Sequence, residues 1–234
     1  MDTSDADGCQ SLPEDVVDDI GLDIWEASRV LCNFMLQNIA VRHLITAAPG
    51  ILELGAGAGL PSILSAAMGA KAVTLTDYDP QVVELEQENL RLNGVDEGKA
   101  CVLDWRDRDA AEKLGKFDLV LGADLLYASS VVKDFIETVK VVLAPEGVML
   151  FAHQIRRAIT WDKARGLPRL EKVDAPLELL KAQAEDAKLV SKELLSLEPD
   201  QQAKDMGTEG CFLILAFAWQ EEALKCLYSP TYSV

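Results

Sequence analysis

Two acids, Glu53 and Asp77, bracket three glycines at alternate positions, Gly55, Gly57 and Gly59. The apolar run "ILEL" (51–54) turns into the loop "GAGAG", and a helix-compatible stretch follows. A loop of this kind lets the backbone approach a nucleotide closely. The dinucleotide fingerprint G-x-G-x-x-G would need a third glycine at position 60, where Leu60 stands and would obstruct the helix–strand contact. No Gly-Lys-Ser/Thr phosphate loop is present and no lysine lies within the loop, so nothing is placed to neutralise a pyrophosphate. Glu53, two residues before Gly55, suits a cationic ligand or an amine donor. Asp77 ends the next apolar stretch, 22 residues after Gly55, where a carboxylate can accept both hydroxyls of a ribose. A ribose, a cation and no phosphate together describe S-adenosylmethionine.

The elements that must hold these residues are legible from periodicity. Ile24, Ala27, Leu31, Phe34 and Met35 predict a helix from Asp23 to Ala40. Strands are expected at 50–54, 71–76, 99–104, 117–123 and 147–153. Helices are expected from Leu60-Pro61, from Pro80 to Leu92 with Asp79 as its cap and Asn93-Gly94 as its stop, and over Val132 to Leu143 and Leu177 to Ala187. Strands at 188–197 and 211–219 close the pattern. The alternation predicts an α/β fold, a Rossmann-like seven-stranded sheet that is mostly parallel, with helices on both faces. About 12 residues without a clear helix join the last two strands, too few for a parallel crossover, so the last strand is expected to be antiparallel. Residues 1–20 read as an acidic disordered segment, 21–225 as a single domain and 226–234 as a flexible tail.

Bulk composition narrows the field. The 234 residues are 49% hydrophobic and carry a net charge of −17, with eight acids and no base in the first 23 positions. Such a surface repels phosphate backbones, so nucleic acid is not an expected partner. No run of 18 apolar residues exists, so no membrane span is expected. The start "MDTSDADGCQ" does not read as a signal or transit peptide; the cytosol, with nuclear access open, is the expected compartment and a monomer the expected state. Five scattered cysteines, no CxxC and two histidines argue against a disulfide framework or a metal site. One stretch departs from the acidic average: Arg156 to Lys172 holds six bases and two acids, reads as a loop or helix start, and would suit a substrate with acids near its target.

"ELGAGAGLPS", "TLTDYDP" with "ENLRLNG", and "FDLVLGADLLY" resemble the seven-strand methyltransferases of family 16, a group that contains eukaryotic protein lysine methyltransferases. The resemblance implies an S-adenosylmethionine-dependent N-methyltransferase acting on a lysine of a protein substrate. By position it implies that Trp25 covers the cofactor, that Gly55, Ala56 and Gly57 line its methionine part, and that Asp77 holds its ribose. Trp105 would flank the adenine, and Ala123 would lie against the cofactor. Asp124 to Tyr127 matches a D-x-x-Y motif beside the acceptor lysine. Asp124 would stabilise the charge that develops on the amine, and Tyr127 would accept a hydrogen bond from it and orient it. "ELGAGAGLPSILSAAMGA" and "TDYDP" are also similar to the nicotinamide-methyltransferase-like branch. Methylation of a protein N-terminus or a small amine therefore stays open, as does an adaptor that binds cofactor without turnover.

Overall fold

Seven strands join into one sheet in the order β3-β2-β1-β4-β5-β9-β8. The strands are β1 (Ile51–Leu54), β2 (Val73–Asp77), β3 (Gly98–Val102), β4 (Phe117–Ala123), β5 (Leu143–Gln154), β8 (Val190–Leu197) and β9 (Phe212–Ala218). The structure, a computed structural model, describes residues 20–162, 165–198 and 210–228. The acidic lead-in at 1–19 and the tail at 229–234 lie outside the described residues. Strands β1 to β5 pair in parallel, and β9 runs antiparallel between β5 and β8, as the short connection requires.

Alternate residues along each inner strand face opposite sides, and both sides are buried. Ile51, Leu75, Leu121, Leu150 and Ile214 join one core. That core is covered by α1 (Glu26–Gln37), α2 (Ile39–Ala47), α3 (Leu60–Ala67), α4 (Pro80–Leu92) and the short α8 (Glu221–Lys225). Leu52, Val120, Phe151 and Phe217 join the other core, under α5 (Arg108–Leu114), α6 (Val132–Val142) and α7 (Ala175–Asp186). An inner strand covered on both faces has no polar side to show, which is why "FLILAFA" in β9 is apolar throughout. The core also takes in Leu227, two residues beyond the end placed at 225.

Three local differences from the sequence reading have physical causes. The long first helix breaks at Asn38, whose backbone is extended and whose Oδ1 accepts the Val41 amide at 3.1 Å, starting α2 afresh. The short α5 is capped by Asp107, which accepts from the Ala110 amide at 3.0 Å. The basic stretch folds as a two-stranded antiparallel ribbon of β6 (Ile159–Asp162) and β7 (Leu167–Leu170), separate from the main sheet.

Elsewhere the expected punctuation holds. Asp79 Oδ1 accepts from the Gln81 amide at 2.8 Å and caps α4 ahead of Pro80. Past its last turn, Gly94 takes a φ of 65° and Val95 donates to the Leu90 carbonyl at 3.0 Å. No described helix is long and apolar enough to cross a membrane.

Candidate functional site

Strand order reverses between β1 and β4, and ligands of open α/β sheets bind beyond the carboxyl ends of strands at such a reversal. The glycine loop leaves β1 there. Gly55 and Gly57 adopt φ of 55° and 54°, left-handed backbone that costs an L side chain roughly 1–2 kcal/mol. Space matters as much as strain. A Cβ on Gly55 would lie 2.6 Å from Leu125 Cδ2, and one on Gly57 would lie 3.2 Å from the Gly21 carbonyl oxygen.

Both flanking acids hold this loop. Asp77 Oδ2 accepts from the Gly57 amide at 3.3 Å, and its Oδ1 accepts from the Asp79 amide at 3.2 Å. Burial nonetheless raises its carboxyl above the usual range. Glu53 sits deeper than the sequence reading placed it. It is 1% exposed, and its Oε2 accepts the Ser62 amide at 2.9 Å. Ser62 lies in the first turn of α3, whose cap is Gly59 and so supplies no side-chain acceptor. Glu53 therefore supports the loop from behind by capping that helix, rather than offering its carboxylate to a ligand. Desolvation raises its pKa to about 7.

A third acid lies below the loop and was missed. Glu86 of α4 is fully buried, and neither carboxyl oxygen has a hydrogen-bond partner among the described residues. Desolvation, then the negative Asp77 and Glu53, push it to about 9, so it is neutral at pH 7. The signal was available: Glu86 falls on the helical stripe of Val82, Val83 and Leu90. Asn89, on the same helix, donates to the Ala58 carbonyl at 3.0 Å and fastens the loop from this side.

Two tryptophans flank the region. Trp105 is half-buried, with Cζ2 3.6 Å from where a Cβ on Gly55 would stand. Its ring packs edge-on to Phe135 at 5.1 Å, and the contacts continue from Phe135 to Phe151 at 5.7 Å and from Phe151 to His153 at 5.9 Å. Trp25 precedes α1 and is partly exposed; its carbonyl accepts the Ser28 amide at 3.0 Å. The turn just before it, Ile20–Leu22, brings Gly21 over Gly57.

At the end of β4, Ala123 is half-buried and Asp124 departs from its expected role. Its backbone takes a φ of 58°, rare outside glycine, asparagine and aspartate. Its side chain is 3% exposed, and both oxygens are taken by the Arg156 guanidinium, Oδ1 at 2.5 Å from Nη1 and Oδ2 bonded to Nη2. A carboxylate so neutralised is not available to an incoming ammonium. Sequence reasoning placed Arg156 in the basic stretch that would suit an acidic substrate and gave it no internal partner; no local pattern reports a pair 32 positions apart. Its Nη2 also donates to Gln154 Oε1 at 3.0 Å.

Behind this pair lies a second junction. His153 is fully buried, with Nε2 3.0 Å from Asp174 Oδ2; a carboxylate only accepts, so Nε2 carries the proton. Asp174 also accepts from the Arg156 amide at 2.6 Å and the Leu177 amide at 3.1 Å, so one side chain caps α7 and holds the end of β5. Within Asp124-Leu-Leu-Tyr127, Leu125 and Leu126 are buried and Tyr127 is 62% exposed, at the open edge of the site. Among the described residues no group of three or more His, Cys, Asp or Glu is arranged to hold a metal ion.

A seven-stranded sheet of this order, with a glycine loop after β1 and an acid ending β2, is the class I methyltransferase fold. The model of the lysine methyltransferase family matches residues 7–163, and the chain belongs to that family. It is 35% identical over 136 residues to EEF1A lysine methyltransferase 3 of Mus musculus, covering 57% of this chain and 55% of that protein. It is 29% identical over 136 residues to Protein N-lysine methyltransferase METTL21A of Xenopus tropicalis, covering 57% and 60%. The match thus spans little more than half the length of these curated relatives. Among solved structures, the O-methyltransferase from Bacillus cereus in complex with SAH superposes with a TM-score of 0.53 at 13% identity, over 87% of this chain and 86% of that one; it shows the fold.

Proposed function

We propose that this protein is an S-adenosylmethionine-dependent methyltransferase that modifies a lysine side chain of a protein substrate. The observation that carries the reading is the loop itself. It is left-handed glycine backbone, pinned by the buried Glu53 and Asp77, with no lysine or arginine from Gly55 to Leu60. A cationic, phosphate-free nucleoside suits such a loop, whose bare glycines let backbone rather than side chains form its walls, the Gly21 carbonyl standing 3.2 Å from where a Cβ on Gly57 would lie. Gly55, Ala56 and Gly57 would line its methionine part and Asp77 would hold its ribose. Trp105 would flank the adenine, Ala123 would lie against the cofactor and Trp25 would cover the cofactor. Bound there, the cofactor supplies a methyl group on a sulfonium.

The chain's own task is the acceptor. A free lysine has a pKa of ~10.4, so about one in 2,500 is neutral at pH 7. A bare carboxylate beside the amine would hold it protonated. Arg156 removes that conflict by neutralising Asp124. Asp124 then acts as a positioning residue for the strand edge, and Tyr127 is left to accept a hydrogen bond from the amine and orient it. The exposure of Tyr127 favours a macromolecular acceptor, since small amines are bound in enclosed pockets.

Thermal denaturation tests the cofactor directly. S-adenosylhomocysteine should raise the melting temperature, because a ligand of the native state adds RT ln(1 + [L]/Kd), and NADH should not. Stabilisation by NADH alone sinks the proposal. Tritiated S-adenosylmethionine with the protein and a cell lysate should label a protein band at lysine.

Asp77→Ala should weaken S-adenosylhomocysteine binding by about 1.5–3 kcal/mol, the range for hydrogen bonds to charged groups. Asp79→Ala should cost about 1 kcal/mol of stability as a lost cap and leave affinity nearly unchanged. Equal affinity losses in calorimetry at the two positions would show this division of roles to be wrong.

A further inference from the structure

The β6–β7 ribbon has an unpartnered apolar face. Ile159 stands opposite Leu170 and Trp161 opposite Pro168, so all four side chains lie on one side. Ile159 is 75% exposed, Trp161 63% and Leu170 57%. A lone two-stranded ribbon is at best marginally stable in water, and a contiguous exposed apolar face on one marks an interaction surface. Its charge is equally marked. Arg157 and Lys172 stand at its foot and Arg169 within β7, all exposed. The one acid among its described side chains, Glu171, accepts the Thr160 hydroxyl at 2.5 Å.

The ribbon is also clamped to the site. At its start, Arg156 is bonded to Asp124 through its guanidinium and to Asp174 through its amide. At its return, the Glu171 amide donates to the Ala158 carbonyl at 2.8 Å, and Asp174 holds His153. Three residues of chain span at most about 10 Å, so β6 begins within that distance of Arg156.

We propose that this ribbon is the docking surface for the protein substrate and takes a segment of it that combines apolar and acidic side chains. The inference rests on the protein-lysine reading above and adds the chemistry of what is recognised. Apolar side chains would cover Trp161 and Ile159, and acids would meet Arg157 and Lys172 at the foot of the ribbon; Arg169, paired with Thr160, projects from the other face and adds only to the positive field. An anionic membrane would meet the same bases, but the rest of a chain at −17 repels such a surface.

The test uses fluorescent peptides with one central lysine flanked by leucine and isoleucine, and with either glutamate or lysine at the remaining positions. Anisotropy with the full chain should show the glutamate peptide binding about tenfold tighter or more. The Ile159→Ser/Trp161→Ser and Arg157→Glu/Lys172→Glu variants should each lose about tenfold or more of that affinity. Both alter exposed side chains, and their retained stabilisation by S-adenosylhomocysteine verifies folding. Equal binding of the two peptides, or variants that bind like the parent, overturns the proposal. So does ribbon-dependent binding to phosphatidylserine vesicles without peptide preference, or a dimer that the serine variant dissolves. Failure of the parent to bind S-adenosylhomocysteine overturns the methyltransferase reading instead, while the peptide comparison still decides the ribbon.

Discussion

Asp124→Asn, Arg156→Met and the double variant are each expected to lower turnover by about the same factor, roughly 10². The two side chains form one unit: a buried carboxylate with both oxygens on one guanidinium. Breaking the unit from either side releases the ends of β4 and β5, and a displacement of about 1 Å near a reacting centre costs roughly 10²-fold. Asparagine tolerates the left-handed backbone at position 124, so that swap tests the charge rather than the fold. Removing the arginine should destabilise more, by about 3–5 kcal/mol, because it leaves a buried anion without its partner. S-adenosylhomocysteine binding should survive in all three, since neither residue bonds to the glycine loop. The double-variant cycle is the decisive measurement: losses that multiply to roughly 10⁴ would mean that the residues act independently. Unchanged turnover in Asp124→Asn would falsify the positioning role.

Melting temperature is expected to fall as pH rises from 6 to 9, and Glu86→Gln should flatten that fall. The sign follows from linkage. Glu86 has a folded pKa of about 9, above its unfolded value, so the native state binds a proton that the unfolded state releases. The resulting stability is fully present below the unfolded pKa and is lost as pH rises through about 9. Over that window the slope is about 1.4 kcal/mol per pH unit for one proton. Glutamine keeps the shape and cannot ionise. Glu53, at about 7, shifts in the same direction, so a smaller slope should persist below neutrality in the variant. Denaturant midpoints measured across pH decide it; parallel curves for parent and variant would mean that Glu86 does not carry the proton.

How far these features can be read from sequence depends on the range of the interactions that make them. The glycine loop, the acid at the end of β2, the Asp79 cap and the span of α4 depend on near neighbours, and each was legible. So was the antiparallel β9, because connection length decides it. Asp124 was located but not understood, since its partner lies 32 residues on. Glu53 was read as facing a ligand because a strand's alternation does not say which buried group will need it. The ribbon was hidden for a different reason. Its charges dominate the local composition, and its strands are four residues long with a proline in one, so the two-residue period in "ITW" and "PRL" has too few repeats to stand out.

Asp174 ties three chain segments at one point: the end of β5 through His153 and the Arg156 amide, the return of the ribbon, and the first turn of α7. Everything between Arg156 and Asp174 therefore leaves and re-enters the domain through a single closed stem. Such a stem makes residues 157–173 an exchangeable cassette. A related enzyme's segment could be grafted between the same arginine and aspartate without disturbing the sheet, the glycine loop or the buried acids. On the proposed function, target choice could then drift within one short stretch while the glycine loop and its buried supports stay unchanged.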